Sequence, residues 1–441
     1  MKINKMIFSI ILALVFNNIE AQEKKLLTLK EAIQIAVTNS DQATLAKTKV
    51  ITSKLELDNT KNNSYPSLKA SGQYLRLSNA NIDSNIQPNS SASGEPSKPL
   101  KAEQLMLGQV NASLPIFSGF KLKNSIKTSE NLLESEKFTE KHSKEQIGLQ
   151  VVELFSSLYK TQEMTLLIED NLKTANQRVK DFTAMEENGL IARNDLLKAQ
   201  LQVSNIQLAL DNSKKNTAIS NYKLITLLKL PENTTIEIDI EAIKKELKEN
   251  QKAFSGERND LKALEYKKAA SESAVKVAKG NYYPSIALSA GYIALDINNI
   301  VTVTNAMNFG VGFSYDISSI FKNNKQVKLA QNKTKETEIA IHLLQNQINE
   351  DLFEAKENYA LSLKQSLVYE KAVEQATENY RIVKDKYDNS LSDTNDLLEA
   401  DFEALQAKIN QALSKADVAQ KYYELQFANG TLTSSLNITQ N

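Results

Sequence analysis

Asp396 and Glu399 stand three residues apart, a spacing that puts two carboxylates on one face of a helix. Such a pair repels itself by roughly a few tenths of a kcal/mol, which a solvated face tolerates. Its chemistry is electrostatic: each carboxylate attracts cations. The equivalent positions 201 residues earlier hold Asp195 and Lys198, so there the charge is neutralised. Bond-making chemistry has little else to draw on. The chain contains no cysteine, hence no disulfide, thiolate metal site or nucleophilic thiol. Its two histidines, His142 and His342, lie in polar helical stretches and read as solvated. No enzyme, cofactor or metal site is expected. Fifty-three basic residues balance fifty-three acidic ones, which excludes the electrostatic footprint of a nucleic-acid binder.

These residues need elements to hold them. Lys2 and Lys5 precede an apolar run from Met6 to Phe16, and Ala21 closes a cleavage-type site, so residues 1–21 read as a signal peptide. Neither that run nor any later one reaches the ~20 residues of a membrane-spanning helix. Downstream, the chain is written twice. Asn188-Gly189-Leu190 and Asn194-Asp195-Leu196-Leu197 return as Asn389-Ser390-Leu391 and Asn395-Asp396-Leu397-Leu398, each at an offset of 201. Tyr65-Pro66-Ser67 returns as Tyr283-Pro284-Ser285. The spacing predicts a first repeat over 22–230, an insertion over 231–260, a second repeat over 261–428 and a polar, partly disordered tail over 429–441.

Each repeat opens with helix. Thr28 and Glu31 form a capping box, and Pro66 ends the helical periodicity that restarts at Ser40. Period two then takes over: Met106, Gly108, Val110, Ala112 and Leu114 alternate with Gln109, Asn111 and Ser113, as Met307, Phe309, Val311 and Phe313 do with Asn308, Gly310 and Gly312. The hairpins are expected at about 66–117 and 284–317, joined in the first by a loop from Asn79 to Glu103, with strands of about ten to twelve residues. That length and alternation suit a tilted membrane strand. Four strands cannot close a barrel, and open edges are not tolerated in lipid, so several chains must pool them.

Long helical hairpins follow, over about 118–230 and 318–428, with first arms near 70 residues and roughly 100 Å. Ile147, Val151, Leu154, Leu158, Thr161, Thr165, Ile168, Leu172, Ala175, Val179 and Phe182 keep a heptad seam, in which the two threonines read as imperfect packing.

Leu29-Lys30-Glu31-Ala32, the run Leu114-Pro115-Ile116-Phe117-Ser118-Gly119 and the paired Asn-Gly-Leu and Asn-Ser-Leu turns, in this order, resemble the TolC-like outer-membrane efflux family over nearly the whole mature chain. The chain departs from it at Arg258-Asn259-Asp260-Leu261, where the family has Arg-Pro-Asp-Leu, and at Tyr315-Asp316-Ile317-Ser318, which lacks a proline. The resemblance implies a mostly α protein with a membrane β-barrel: a homotrimer whose pooled strands form a twelve-stranded barrel on an α-helical tunnel. It implies a passive exit duct for efflux or secretion, seated in outer-membrane lipid of a Gram-negative-type bacterium and extending into the periplasm, served by an inner-membrane pump through a periplasmic adaptor. It places Asp396 and Glu399 at the pore constriction, Tyr387 and Asp195 in a hydrogen-bonded entrance latch, and Gly189, Leu190, Ser390 and Leu391 at adaptor-docking tips. Ser392 stands where other members carry an arginine. A structural coiled-coil envelope protein would need only the heptads and leaves the strands unexplained. An adaptor of the same machinery does not account for the doubling.

Overall fold

The computed structural model describes residues 23–82, 100–238, 257–298, 300–436 and 438. The expected signal peptide, most of the loop after Asn79 and the Lys/Glu-rich part of the insertion lie outside them. The elements are β1 (Glu23–Leu27), α1 (Leu29–Asn39), α2 (Asp41–Asn62), β2 (Ser67–Ile82), β3 (Leu100–Phe117), α3 (Lys121–Glu187), α4 (Arg193–Leu228), β4 (Thr234–Ile238), α5 (Asn259–Gly280), β5 (Ser285–Ile297), β6 (Val301–Ser314), α6 (Ser319–Asp388), α7 (Thr394–Ala428) and α8 (Leu432–Ser435). The order helix, strand, strand, long helix, helix occurs twice. Two compact units emerge: the described residues of Lys49–Lys137 and Ala263–His342 form one, and those of Met1–Thr48, Phe138–Lys262 and Leu343–Asn441 the other.

The first unit holds an antiparallel sheet in the order β2-β3-β5-β6. Its register puts like with like. Leu68, Ala112, Ala290 and Phe309 stand level on one face, and Lys69, Asn111, Gly291 and Asn308 on the other. The apolar face is bare in the single chain: Phe309 is 91% exposed, and Met307, Val311 and Phe313 are exposed beside it. The outer edges of β2 and β6 pair with no strand among the described residues. The strands run to 16, 18, 13 and 14 residues, longer than the alternation indicated. Backbone hydrogen bonds continue the ladder through the polar pairs Asn81–Lys101 and Arg76–Gln104, where side-chain hydrophobicity no longer marks a strand.

Chain turns from sheet to helix are tight. Gly119 sits at φ 64, and a Cβ there would lie 2.3 Å from the Gly280 carbonyl oxygen, so the Ser118-Gly119 corner admits only glycine. At the second corner Asp316 Oδ1 accepts from the Ser318 amide at 2.9 Å and hydroxyl at 2.7 Å, an Asx turn that opens α6 without the missing proline.

In the second unit a core gathers Leu27, Ile33, Val151, Phe155, Leu158, Leu224, Leu228, Ile236 and Tyr423. The heptad seam of α3 supplies much of it, with Ile147, Val151 and Leu158 at 1% exposure or less. Where the seam turns polar the structure corrects the expectation of loose packing. Thr165 Oγ1 lies 2.7 Å from Ser213 Oγ and 3.2 Å from Thr217 Oγ1, so hydroxyls replace apolar contact between α3 and α4. β1 pairs in parallel with β4, and Asn221 clips β4 through Ile236 N at 2.9 Å and Thr234 O at 2.9 Å.

The described residues of the polar tail are packed. Leu432, Leu436 and Ile438 enter the core, because the burial of three apolar side chains outweighs their polar neighbours. Glu145, buried on α3, accepts hydrogen bonds from the Thr433 amide and hydroxyl. Burial pushes the Glu145 carboxyl up, and the Thr433 bonds pull partly against it. Replacing Thr433 with valine keeps the shape and removes the hydroxyl donor to a buried carboxyl, at an expected cost of about 1.5–3 kcal/mol. An unchanged midpoint in denaturant unfolding would show that the tail contributes nothing.

Arg258 forks Asp260 through Nε at 3.2 Å and Nη2 at 2.7 Å and reaches Asp351 through Nη1 at 3.0 Å. This knot orders the start of α5 without the family's proline. His142, expected as a solvated residue, packs beside it, with Nε2 4.0 Å from Asp260 and its ring near Phe427, while His342 is exposed. Burial lowers the His142 pKa and Arg258 adds to this, against the pull of Asp260. As pH falls, the unfolded chain therefore protonates first and stability drops from about pH 6.5 downward. His142→Gln should flatten that acid-side loss in thermal melts taken across pH. A parent and variant falling in parallel would remove His142 as its source.

Candidate functional site

Two helix-to-helix turns and the helices that meet there form the site. In the first turn the Leu190 amide reaches the Met185 carbonyl at 2.8 Å and the Gly189 amide reaches Glu186 at 2.9 Å, with Gly189 at φ 71. The second repeats this bond pair, Leu391 to Lys386 and Ser390 to Tyr387, with Ser390 at φ 62. Both are Schellman caps, which is why Asn-Gly-Leu and Asn-Ser-Leu recur. A serine in the left-handed region costs about 1–2 kcal/mol, so the second turn is the more strained. Leu190 and Leu391 project into solvent from both tips.

Asp393 caps α7 by accepting from the Asp396 amide at 3.0 Å, and Ser392 Oγ donates to Asp396 Oδ2 at 2.7 Å. Ser392 thus orients one carboxylate of the Asp396–Glu399 pair. Both side chains of that pair are exposed in the protomer. On α4 the first-copy Asp195 lies 3.7 Å from Lys198 Nζ, the neutralisation read from the sequence.

Asp195 and Tyr387 line one cleft of about 990 Å³ but do not bond to each other in the protomer. The Tyr387 hydroxyl is buried with no hydrogen-bond partner, because its ring is stacked on Phe182 at 5.8 Å while Asp195 turns to Lys198. The tie that sequence reasoning missed lies deeper in the same cleft. Arg178 of α3 donates to Asp401 of α7 at 3.0 Å, to the Tyr380 hydroxyl of α6 at 3.3 Å and to Gln202 of α4 at 3.4 Å. Asn171 adds a bond to Asp401 at 3.4 Å. Arg178 and Asp401 are each 8% exposed, so one buried ion pair joins all four helices. Burial works against the Arg178 charge, but the Asp401 hydrogen bond and charge outweigh it and hold the guanidinium above its ordinary pKa. The signal available in the sequence was the position of Arg178, three residues past Ala175 and one short of Val179 in the heptad seam.

Among the described residues no cluster of His, Cys, Asp or Glu could hold a metal ion, and no helix is long and apolar enough to cross a membrane. The site is a set of charges and ties where four helices turn.

A search of the curated proteins found no match. The family profile described as Outer membrane efflux protein matches residues 253–431. Among solved structures, the Campylobacter jejuni CmeC outer membrane channel superposes with a TM-score of 0.74 at 17% identity, over 92% of this chain and 86% of that one. The outer membrane protein VceC of Vibrio cholerae gives 0.72 at 14% identity, over 91% and 96%. The open state of the Neisseria gonorrhoeae MtrE outer membrane channel gives 0.71 at 15% identity, over 91% and 88%. Residues 253–431 therefore resemble the outer membrane efflux protein family, and the chain that carries them has the fold of the outer-membrane channels.

Proposed function

We propose that this chain is one of three identical subunits of a passive exit duct, seated in the outer membrane of a Gram-negative-type bacterium and extending into the periplasm. The sheet carries this reading. A face on which Phe309, Val311 and Phe313 are all exposed needs an apolar surrounding, and two open edges need further strands. Three copies pool twelve strands into a barrel whose inner wall is the polar face of Lys69, Asn111 and Asn308. The paired helices of the other unit supply the tunnel.

In that assembly three copies of Asp396 and Glu399 place six carboxylates around one axis at the constriction. Gly189, Leu190, Ser390 and Leu391 form the tips that a periplasmic adaptor grips, and an inner-membrane pump drives the cargo. Entrance closure rests on the Arg178–Asp401 network in place of a Tyr387–Asp195 bond. Fractionation tests the placement. The protein should sediment with the outer membrane and migrate as a heat-modifiable trimer, and a monomer in the soluble periplasmic fraction would overturn the reading.

A further inference from the structure

The four junctions between sheet and helix lie at one end of the sheet, where β2 and β5 begin and β3 and β6 end. They are packed together. Lys121 Nζ reaches Asn281 Oδ1 at 3.2 Å, Ser319 Oγ reaches the Asn281 carbonyl at 2.9 Å, and Thr60 and Ser129 hydroxyls lie 3.1 Å apart. Residues 59–66, 118–129, 274–284 and 319–329 of this layer contain nine lysines and no aspartate or glutamate, with Asp316 the acid at the fourth corner, in a chain whose charges balance overall. Lys121, Lys123 and Lys127 open α3, and Lys322, Lys325 and Lys328 open α6. Lys61, Lys276 and Lys279 end α2 and α5. All but Lys121 are exposed, and none of the nine forms an ion pair among the described residues.

Lys61 and Lys279 suit the ends of α2 and α5, but helix physics does not ask for the lysines that open α3 and α6. Neither α3 nor α6 has an acid in its first turn, and lysine there opposes the helix dipole. A broken local rule whose one internal compensation is Asp316 beside Lys322 points outward. The neighbouring layer says to what. Phe117, Phe120 and Tyr283 form an edge-on aromatic cluster with centroids 5.2 and 6.0 Å apart, and Phe120, Tyr283, Tyr65 and Phe321 are exposed around it, Phe321 at 82%. Phe321 and Lys325 share a helix face one turn apart. Apolar strand face, then exposed rings, then ammonium groups is the order of a membrane interface, with hydrocarbon, boundary and headgroups met in turn.

We infer that these lysines form a basic collar that binds the phosphates of anionic phospholipid in the periplasm-facing leaflet, which fixes the depth of the sheet in the bilayer and selects its annular lipid. The inference rests on the channel reading. Charge complementarity and continuity with the apolar sheet face commit the partner to lipid.

The test uses the assembled mature protein in vesicles of equimolar phosphatidylcholine and phosphatidylglycerol, with spin-labelled forms of each lipid reporting their association. The parent should favour phosphatidylglycerol by about fivefold, the equivalent of one engaged lysine. Added salt should erode the preference, and the variant K123Q/K127Q/K322Q/K325Q should lose it while still inserting as a trimer. Equal association of the two lipids with the parent, or an undiminished preference in an inserted variant, overturns the collar alone. A parent that fails to insert into any vesicle overturns the channel reading and the collar with it.

Discussion

Asp401→Ala is expected to raise resting conductance sharply. Arg178 is buried to the same degree as its partner, and the variant leaves its guanidinium with only the Tyr380 hydroxyl at 3.3 Å and Gln202 at 3.4 Å. An uncompensated buried charge costs about 3–5 kcal/mol. On the proposed reading the closed entrance carries that cost, and an opened one, in which water reaches Arg178, does not. The equilibrium therefore shifts toward the open entrance. The charge-free double variant Arg178→Met with Asp401→Leu separates charge from packing, since replacing a whole buried pair by apolar side chains is often neutral or stabilising. It should restore low conductance. Planar-bilayer recordings of both, with trimer yield held equal, decide the matter. Should Asp401→Ala lower the melting temperature but leave conductance at the parent level, the network is structural only.

The second large effect concerns selectivity. In the proposed trimer, six carboxylates around one axis focus a negative potential in a narrow path and raise the local cation concentration. Asp396→Ala with Glu399→Ala should reduce the cation-over-anion permeability ratio on the order of tenfold, read as a shift of reversal potential in a salt gradient. The parent preference should itself shrink as salt rises, because the Debye length falls from about 10 Å at 0.1 M to about 3 Å at 1 M. Asp195 is neutralised by Lys198, so the charge-free pair Asp195→Ala with Lys198→Ala should leave selectivity nearly unchanged. Equal ratios in the parent and the double variant would move the constriction elsewhere.

What the sequence made legible was what has a period. Phe309 and Val311 alternate with Asn308 and Gly310, and that alone identifies a two-faced strand. Ile147, Val151 and Leu158 step by fours and threes, and they are core. The turns were legible because a left-handed cap needs Gly189 or a tolerant residue such as Ser390, followed by an apolar side chain. Pairings across long separations were not. β1 is five residues whose partner strand lies 211 positions away, and nothing local in Glu23–Leu27 marks it. Arg178 and Asp401 are 223 positions apart, and each alone reads as a solvated charge on a polar helix face. Tyr387 illustrates the converse: a residue type carried over from similar proteins matched the position, yet Phe182 and Lys198 settle its ring and its intended partner differently in the protomer.

Because the chain has no cysteine, paired cysteines introduced along the two sheet edges test the assembly most directly. One would scan positions 68–74 of β2 and the other positions 307–313 of β6. Within a subunit those strands are separated by β3 and β5, about 14 Å at strand spacing, too far for a disulfide that needs Cα atoms within about 7 Å. Any bridge must then join neighbouring copies. Oxidation in intact outer membranes should yield, at matching registers, a ladder of one, two and three chains that ends there. The absence of cross-links at every register, or a ladder that continues past three, would contradict a closed barrel of three pooled sheets.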